Sequence, residues 1–164
     1  MGSYFAYNGP MATTAAFAGV TTGTAIKTML QVLAGASDPL MVWKWGIEFD
    51  ATATATPIKV ELVHTGTVAA TVVAHVAAGV QPYGAVQTAS SVQLGTAATG
   101  YTASAEGTVT TTRYGDIHWV DPTQKLTWEW SLGREFFVPA AGVLRVRVTA
   151  PAAVNCVTWI LWDD

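Results

Sequence analysis

Apolar and polar residues alternate in short runs along much of this chain. The clearest are Trp43–Lys44–Trp45–Gly46–Ile47–Glu48–Phe49, Ile58–Lys59–Val60–Glu61–Leu62, Leu126–Thr127–Trp128–Glu129–Trp130–Ser131–Leu132 and Leu144–Arg145–Val146–Arg147–Val148. Successive side chains of a β-strand point to opposite faces, so each run offers one apolar face to a core and one polar face to water or a neighbour. On this reading Trp43, Trp45, Ile47 and Phe49 share one core face, and Leu126, Trp128, Trp130 and Leu132 share another. The pattern predicts strands over Met41–Asp50, Pro57–Thr65, Thr67–Val76, Thr108–Val120, Lys125–Leu132, Val143–Ala150 and Asn155–Trp162.

Ala25–Ala34 fits two templates: Ile26, Met29, Leu30 and Leu33 lie at helical spacing, while Ile26, Thr28, Leu30 and Val32 line a strand face. Its length and Thr-rich surroundings favour a strand. Ala51–Thr56 reads as a small-residue hairpin loop, and Asp121–Pro122–Thr123 as a turn. Gly79–Gly107 is too long for a plain connection; it is expected to hold a short strand near Val92–Leu94 or to reach a partner. All 7 prolines fall at edges or between runs, where no ladder donor is lost. The result is an all-β chain: a single-domain β-sandwich, jelly-roll-like, of about eight strands over 25–164, with an extended N-terminal arm over 1–24. The arm carries Tyr4, Phe5, Tyr7 and Phe17, aromatics that should dock on this domain or on a neighbour.

Composition narrows the function. Of 164 residues 51% are hydrophobic and 12% charged, about half the charge of an average soluble protein. That fits either surface buried against other chains or a surface rich in Ala and Thr. The net charge of −3 gives no electrostatic case for nucleic acid, and no run approaches the ~20 apolar residues of a membrane helix, so neither partner is expected. Arg145 and Arg147 share a strand face that reads as solvated. The single cysteine, Cys156, reads as a buried, inert thiol. The opening Met1–Gly2–Ser3–Tyr4–Phe5 has no basic region or long apolar run of a secretion signal, which points to synthesis and folding in a cytoplasm.

No nucleophile elbow, P-loop, zinc-protease helix or dinucleotide fingerprint occurs. His64 and His75 stand on what read as neighbouring strands, yet no further Cys or His completes a metal set, so both read as structural or surface residues. Asp116 and His118 share a strand face, with Asp121 near the turn; an ion pair or hydrogen bond is the expected arrangement. Glu48, Glu61 and Glu129 lie on polar strand faces as solvated or salt-bridged carboxylates, with nothing to pair two of them across a cleft. No cofactor, metal or catalytic residue is expected, and the chain reads as a non-enzyme. Trp119 and Trp162 sit at strand ends and stand out as surface contacts.

Several runs carry a family likeness: Gly23–Thr24–Ala25–Ile26–Lys27–Thr28, Trp45–Gly46–Ile47–Glu48–Phe49–Asp50, Gly95–Thr96–Ala97–Ala98–Thr99–Gly100–Tyr101–Thr102–Ala103–Ser104–Ala105–Glu106–Gly107–Thr108, Leu132–Gly133–Arg134–Glu135, Leu144–Arg145–Val146–Arg147–Val148–Thr149–Ala150–Pro151–Ala152–Ala153–Val154–Asn155 and Trp162–Asp163–Asp164. From about Thr22 onward the chain resembles small virion structural proteins of tailed bacteriophages. The resemblance implies a β-sandwich on or in the particle, a capsid decoration (cement) protein, with a tail or portal-region component as the alternative. It implies no catalytic residues. The expected partners are the major capsid protein and further copies of the chain, as a homotrimer, on the capsid surface. Candidate contact residues are Tyr4, Phe5, Tyr7, Phe17, Tyr83, Tyr101, Trp119 and Trp162. Deletion of the arm is expected to weaken particle binding and leave the domain folded. The rival class is a carbohydrate-binding or host-recognition module, which needs exposed aromatic platforms.

Overall fold

The computed structural model describes residues 2–10, 18–50, 56–84 and 88–164. Its strands are β1 (Ser3–Tyr7), β2 (Val20–Thr21), β3 (Lys27–Leu33), β4 (Leu40–Phe49), β5 (Ile58–His64), β6 (Thr71–Ala74), β7 (Gln81–Pro82), β8 (Gly100–Ala105), β9 (Arg113–Val120), β10 (Lys125–Glu129), β11 (Phe136–Val138), β12 (Val143–Thr149) and β13 (Asn155–Asp163). They form two antiparallel sheets packed face to face. The first runs β10-β4-β13-β1-β7, with β11 beside β4 and β2 beside β13; the second runs β6-β8-β3-β12-β5-β9.

Eight of these strands make a jelly roll. β1, β13, β4 and β10 form one four-stranded layer, and β3, β12, β5 and β9 the other. Consecutive strands of the eight pass from layer to layer in the double Greek-key order of that fold, except β5 and β9, which are neighbours in the second sheet. The remaining short strands extend the two layers at their margins. Ala25–Ala34 resolves as strand β3, and the Gly79–Gly107 segment holds β7 and β8, with Gln93 bridging Leu33.

Alternation places the inner faces as the sequence requires. Leu144, Val146 and Val148 of β12 face Trp45, Ile47 and Phe49 of β4 and Ile160 and Trp162 of β13 in one buried cluster. Burial of each large aliphatic side chain contributes about 1.5–3 kcal/mol. β3, β5 and β12 are buried on their outer faces too. The chain around Val68–Ala70, with Ala98 and Glu106 just outside β8, covers them: Gln31 bonds the main chain of Ala70 and Ala98, and Arg145 donates to the carbonyls of Val68 and Glu106. A strand covered on both sides has no polar face to display. This is why β3 reads ambiguously in sequence.

Several expectations change. The start of the extended N-terminal arm docks on this domain: Ser3–Tyr7 is the interior strand β1, paired with β13 from Ser3↔Asp163 to Tyr7↔Trp159 and with β7 on its other side, so it belongs to the sandwich and not to a separate segment. The link through 51–56 joins β4 in one sheet to β5 in the other and so is not a hairpin; 51–55 lie outside the described residues. His64 and His75 do not meet, since β8, β3 and β12 separate β5 from β6. Arg145 is fully buried, not solvated. β10 is an edge strand, so Trp128 is exposed, Trp130 is half-buried, and Leu132, beyond its end, is 95% exposed.

Candidate interaction surface

β4 carries one extra residue relative to β13: Lys44 pairs with Leu161 but Val42 with Trp162. Such a bulge shifts the phase of a strand. Leu40 and Val42 point inward before it, Trp45, Ile47 and Phe49 after it, and Trp43 is expelled to the outer face. There its ring meets Tyr83 at 5.6 Å between centroids, tilted by 58°. Tyr83 is held beside β1 by its N–H donating to Ser3 O at 2.7 Å.

Phe5 and Tyr7 alternate outward from β1, with rings stacked at 6.2 Å and 28°. Trp159 stands opposite Tyr7 on β13 and lies flat over Gly46, where any Cβ would fall 2.3 Å from the indole. The outer face of the first sheet therefore carries Phe5, Tyr7, Trp43, Tyr83 and Trp159. All but Tyr83 are half-buried; Tyr83 is exposed. Lys44, on the same face, is paired with Glu129 at 3.0 Å.

Of the contact residues expected from sequence, Phe5, Tyr7 and Tyr83 are brought together here. Tyr4 and Trp162 are core residues instead, packed on each other at 6.2 Å. Their alternation phase on β1 and β13 points them inward. Tyr101 is half-buried at the margin of the core, against His75 at 5.1 Å, and burial raises its phenol above the usual range. Phe17 lies outside the described residues. Trp119 projects from the edge strand β9, far more exposed than any other tryptophan at 72%. Sequence reasoning missed Trp43, assigned to the core because a bulge has no local signature, and Trp159, whose neighbours Thr158 and Ile160 leave no clear polar side.

The Asp116–His118 pair forms as expected, with Nε2 2.7 Å from Oδ1. Oδ2 accepts from the buried Trp45 indole at 3.1 Å, so this carboxylate ties β9 to β4 across the sandwich. Among the described residues no group of three or more His, Cys, Asp or Glu could hold a metal ion. Glu61, almost fully buried, is paired with Lys59 at 3.0 Å and with Arg147. A depression of ≈ 290 Å³ between Tyr4, Val80, Pro82, Thr88, Ser90 and Val92 falls just short of the size that encloses a drug-like ligand, and it lacks converging charged groups. The chain matches no protein-family model, no curated protein and no solved structure.

Proposed function

We propose that this chain is a structural protein of a bacteriophage virion, a capsid decoration protein that binds the head shell and stabilises it. The observation that carries the reading is the outer face of the first sheet, where Phe5, Tyr7, Trp43, Tyr83 and Trp159 gather on a rigid jelly roll. Aromatic rings supply large contact area with little conformational entropy to lose, and a weakly charged sheet face suits a flat protein surface. Repetition over the copies on a shell converts a modest single contact into firm attachment. The jelly roll itself is compatible with this role and does not specify it, because capsid proteins and lectins both use it.

Co-sedimentation with capsids tests the reading. Deletion of the N-terminal segment is unsuitable, because it removes β1 and with it Tyr4 from the core. A Phe5→Ser/Tyr83→Ser double variant keeps the core intact. It is expected to lose at least about ten-fold in particle affinity while its thermal transition moves by only a few degrees. Full retention on capsids would overturn the proposal, and binding to purified tails alone would reassign the protein to that structure.

Exposure of Trp119 and Tyr83 favours a second reading, a carbohydrate-binding or host-recognition module. That reading expects glycan binding abolished by Trp119→Ala or Tyr83→Ala. A glycan array without signal would remove it.

A further inference from the structure

Opposite margins of the first sheet carry a projecting leucine and an apolar hollow. β10 and β11 both run along the same side of β4, with Glu129 opposite Lys44 and Phe136 opposite Val42, so Ser131–Glu135 loops out of one edge line. β7 forms the other margin, beside β1.

The loop has a fixed shape. The N–H of Arg134 donates to Ser131 O at 2.9 Å, Gly133 takes a φ of +79° and Leu132 keeps a negative φ, which together make a type II turn. The Glu135 carboxylate accepts from the Gly133 N–H at 2.8 Å and braces the turn. A Cβ built at Gly133 would meet nothing within 4 Å, so the tip stands clear of the body. Leu132 sits on that tip with its side chain in water. An apolar side chain on so rigid a support has little backbone freedom left to lose when it docks.

The hollow is the ≈ 290 Å³ depression beside β7, walled by Tyr4, Ala77, Val80, Pro82, Val92 and Leu94. An apolar cavity of about 150 Å³ holds benzene, so a leucine side chain fits here with room to spare. A second hollow adjoins it, sharing Tyr4, Thr88 and Ala89, and carries Asp38 and Asp164. Leu132 is followed two residues on by the exposed Arg134, so an apolar tip with a cation beside it matches an apolar hollow with acids beside it.

We propose that copies of this chain join head to tail, Leu132 of one copy entering the hollow of the next while its Arg134 meets Asp38 and Asp164 there. Tip and hollow occupy opposite margins, so two copies cannot satisfy both contacts at once. The contact is heterologous, and its smallest closed assembly is a ring of three. It involves none of Phe5, Tyr7, Trp43, Tyr83 and Trp159, and so does not rest on what the aromatic face binds.

Complementation between two variants tests the contact. Sedimentation equilibrium of the isolated parent chain should give at least three times 17.2 kDa. Leu132→Asp removes the tip, and Ala78→Trp, at an exposed position lining the hollow, fills it. Each variant alone should sediment as a monomer with unchanged circular dichroism. Mixed in equal amounts they hold one working tip and one working hollow between them, and should form a heterodimer that grows no further. Mild oxidation of Leu132→Cys mixed with Ala78→Cys reads the same contact without filling the hollow, and should cross-link the mixture faster than either variant alone. Arg134→Glu should weaken assembly at least about ten-fold, and Asp38→Arg should restore part of it. A monomeric or dimeric parent, a Leu132→Asp variant that still assembles, or a cysteine mixture that cross-links no faster than its components would overturn the proposal. Capsid binding is a separate readout and does not bear on it.

Discussion

Cys156 shows how local surroundings settle the chemistry of a single group. It is buried beside Asn8, whose side-chain amide lies 3.7 Å from Sγ, and burial pushes the thiol up to about 12. The thiolate, not the thiol, is the reactive form. Cys156 should therefore ignore an aromatic disulfide reagent at neutral pH in the native chain and react within minutes in denaturant. Rapid labelling of the folded protein would show that β13 opens readily at that point. The same residue was legible in sequence, since Val154, Val157 and Trp159 around it signalled an apolar strand. Tyr4 and Trp162 were not, because an aromatic at a chain end or strand end reads as available until the pairing partner is known.

At the scale of elements, amphipathic strands such as β4 and β12 declare their inner faces, and turns marked by Pro and Gly fall where the alternation breaks. What alternation leaves out is cover. β12 displays Arg145 and Arg147 at positions that look solvated, yet the main chain at Val68 and Glu106 lies over Arg145, and Arg147 is paired with the buried Glu61. Arg145 is fully buried, with Glu106 3.5 Å away and two carbonyls accepting from it. Removing Arg145 leaves the Val68 and Glu106 carbonyls without their donor under the covering segment, while the partly exposed Glu106 carboxylate keeps its bonds from Thr28. Arg145→Ala should cost roughly 2–4 kcal/mol, with Arg145→Lys recovering only part, because a single ammonium does not reproduce the guanidinium fork. Urea unfolding of the variants reads this directly; a loss below about 1 kcal/mol would mean that the covering segment is held by other contacts. Edge status was equally hidden: Trp128 and Leu132 follow a perfect period and still face water, because nothing among the described residues lies beyond β10.

The whole molecule responds to acid through two histidines. Burial holds His64 below its ordinary value of 6.5, with Arg113 adding to the effect; burial also lowers His75, against a hydrogen bond to the Tyr7 backbone. Well above that ordinary value both groups are neutral in the folded and unfolded chain and contribute no pH dependence. As pH falls through it the unfolded chain takes up protons that the folded chain refuses, so stability declines until the depressed native values are passed. The urea midpoint should be lower at about pH 5 than at about pH 7.5, and His75→Gln should flatten part of that difference. A midpoint that rose on acidification would contradict the sign.

The expelled Trp43 has an evolutionary corollary. Because one additional residue separates Val42 from Trp45, the leading half of that ribbon keeps its inside inside only by being a position out of step with the trailing half. Comparing this chain with a relative that lacks the insertion, without opening a gap at 43, would make conserved packing look like wholesale exchange of interior for exterior. The indole itself answers to Tyr83 on the outer face and not to the interior.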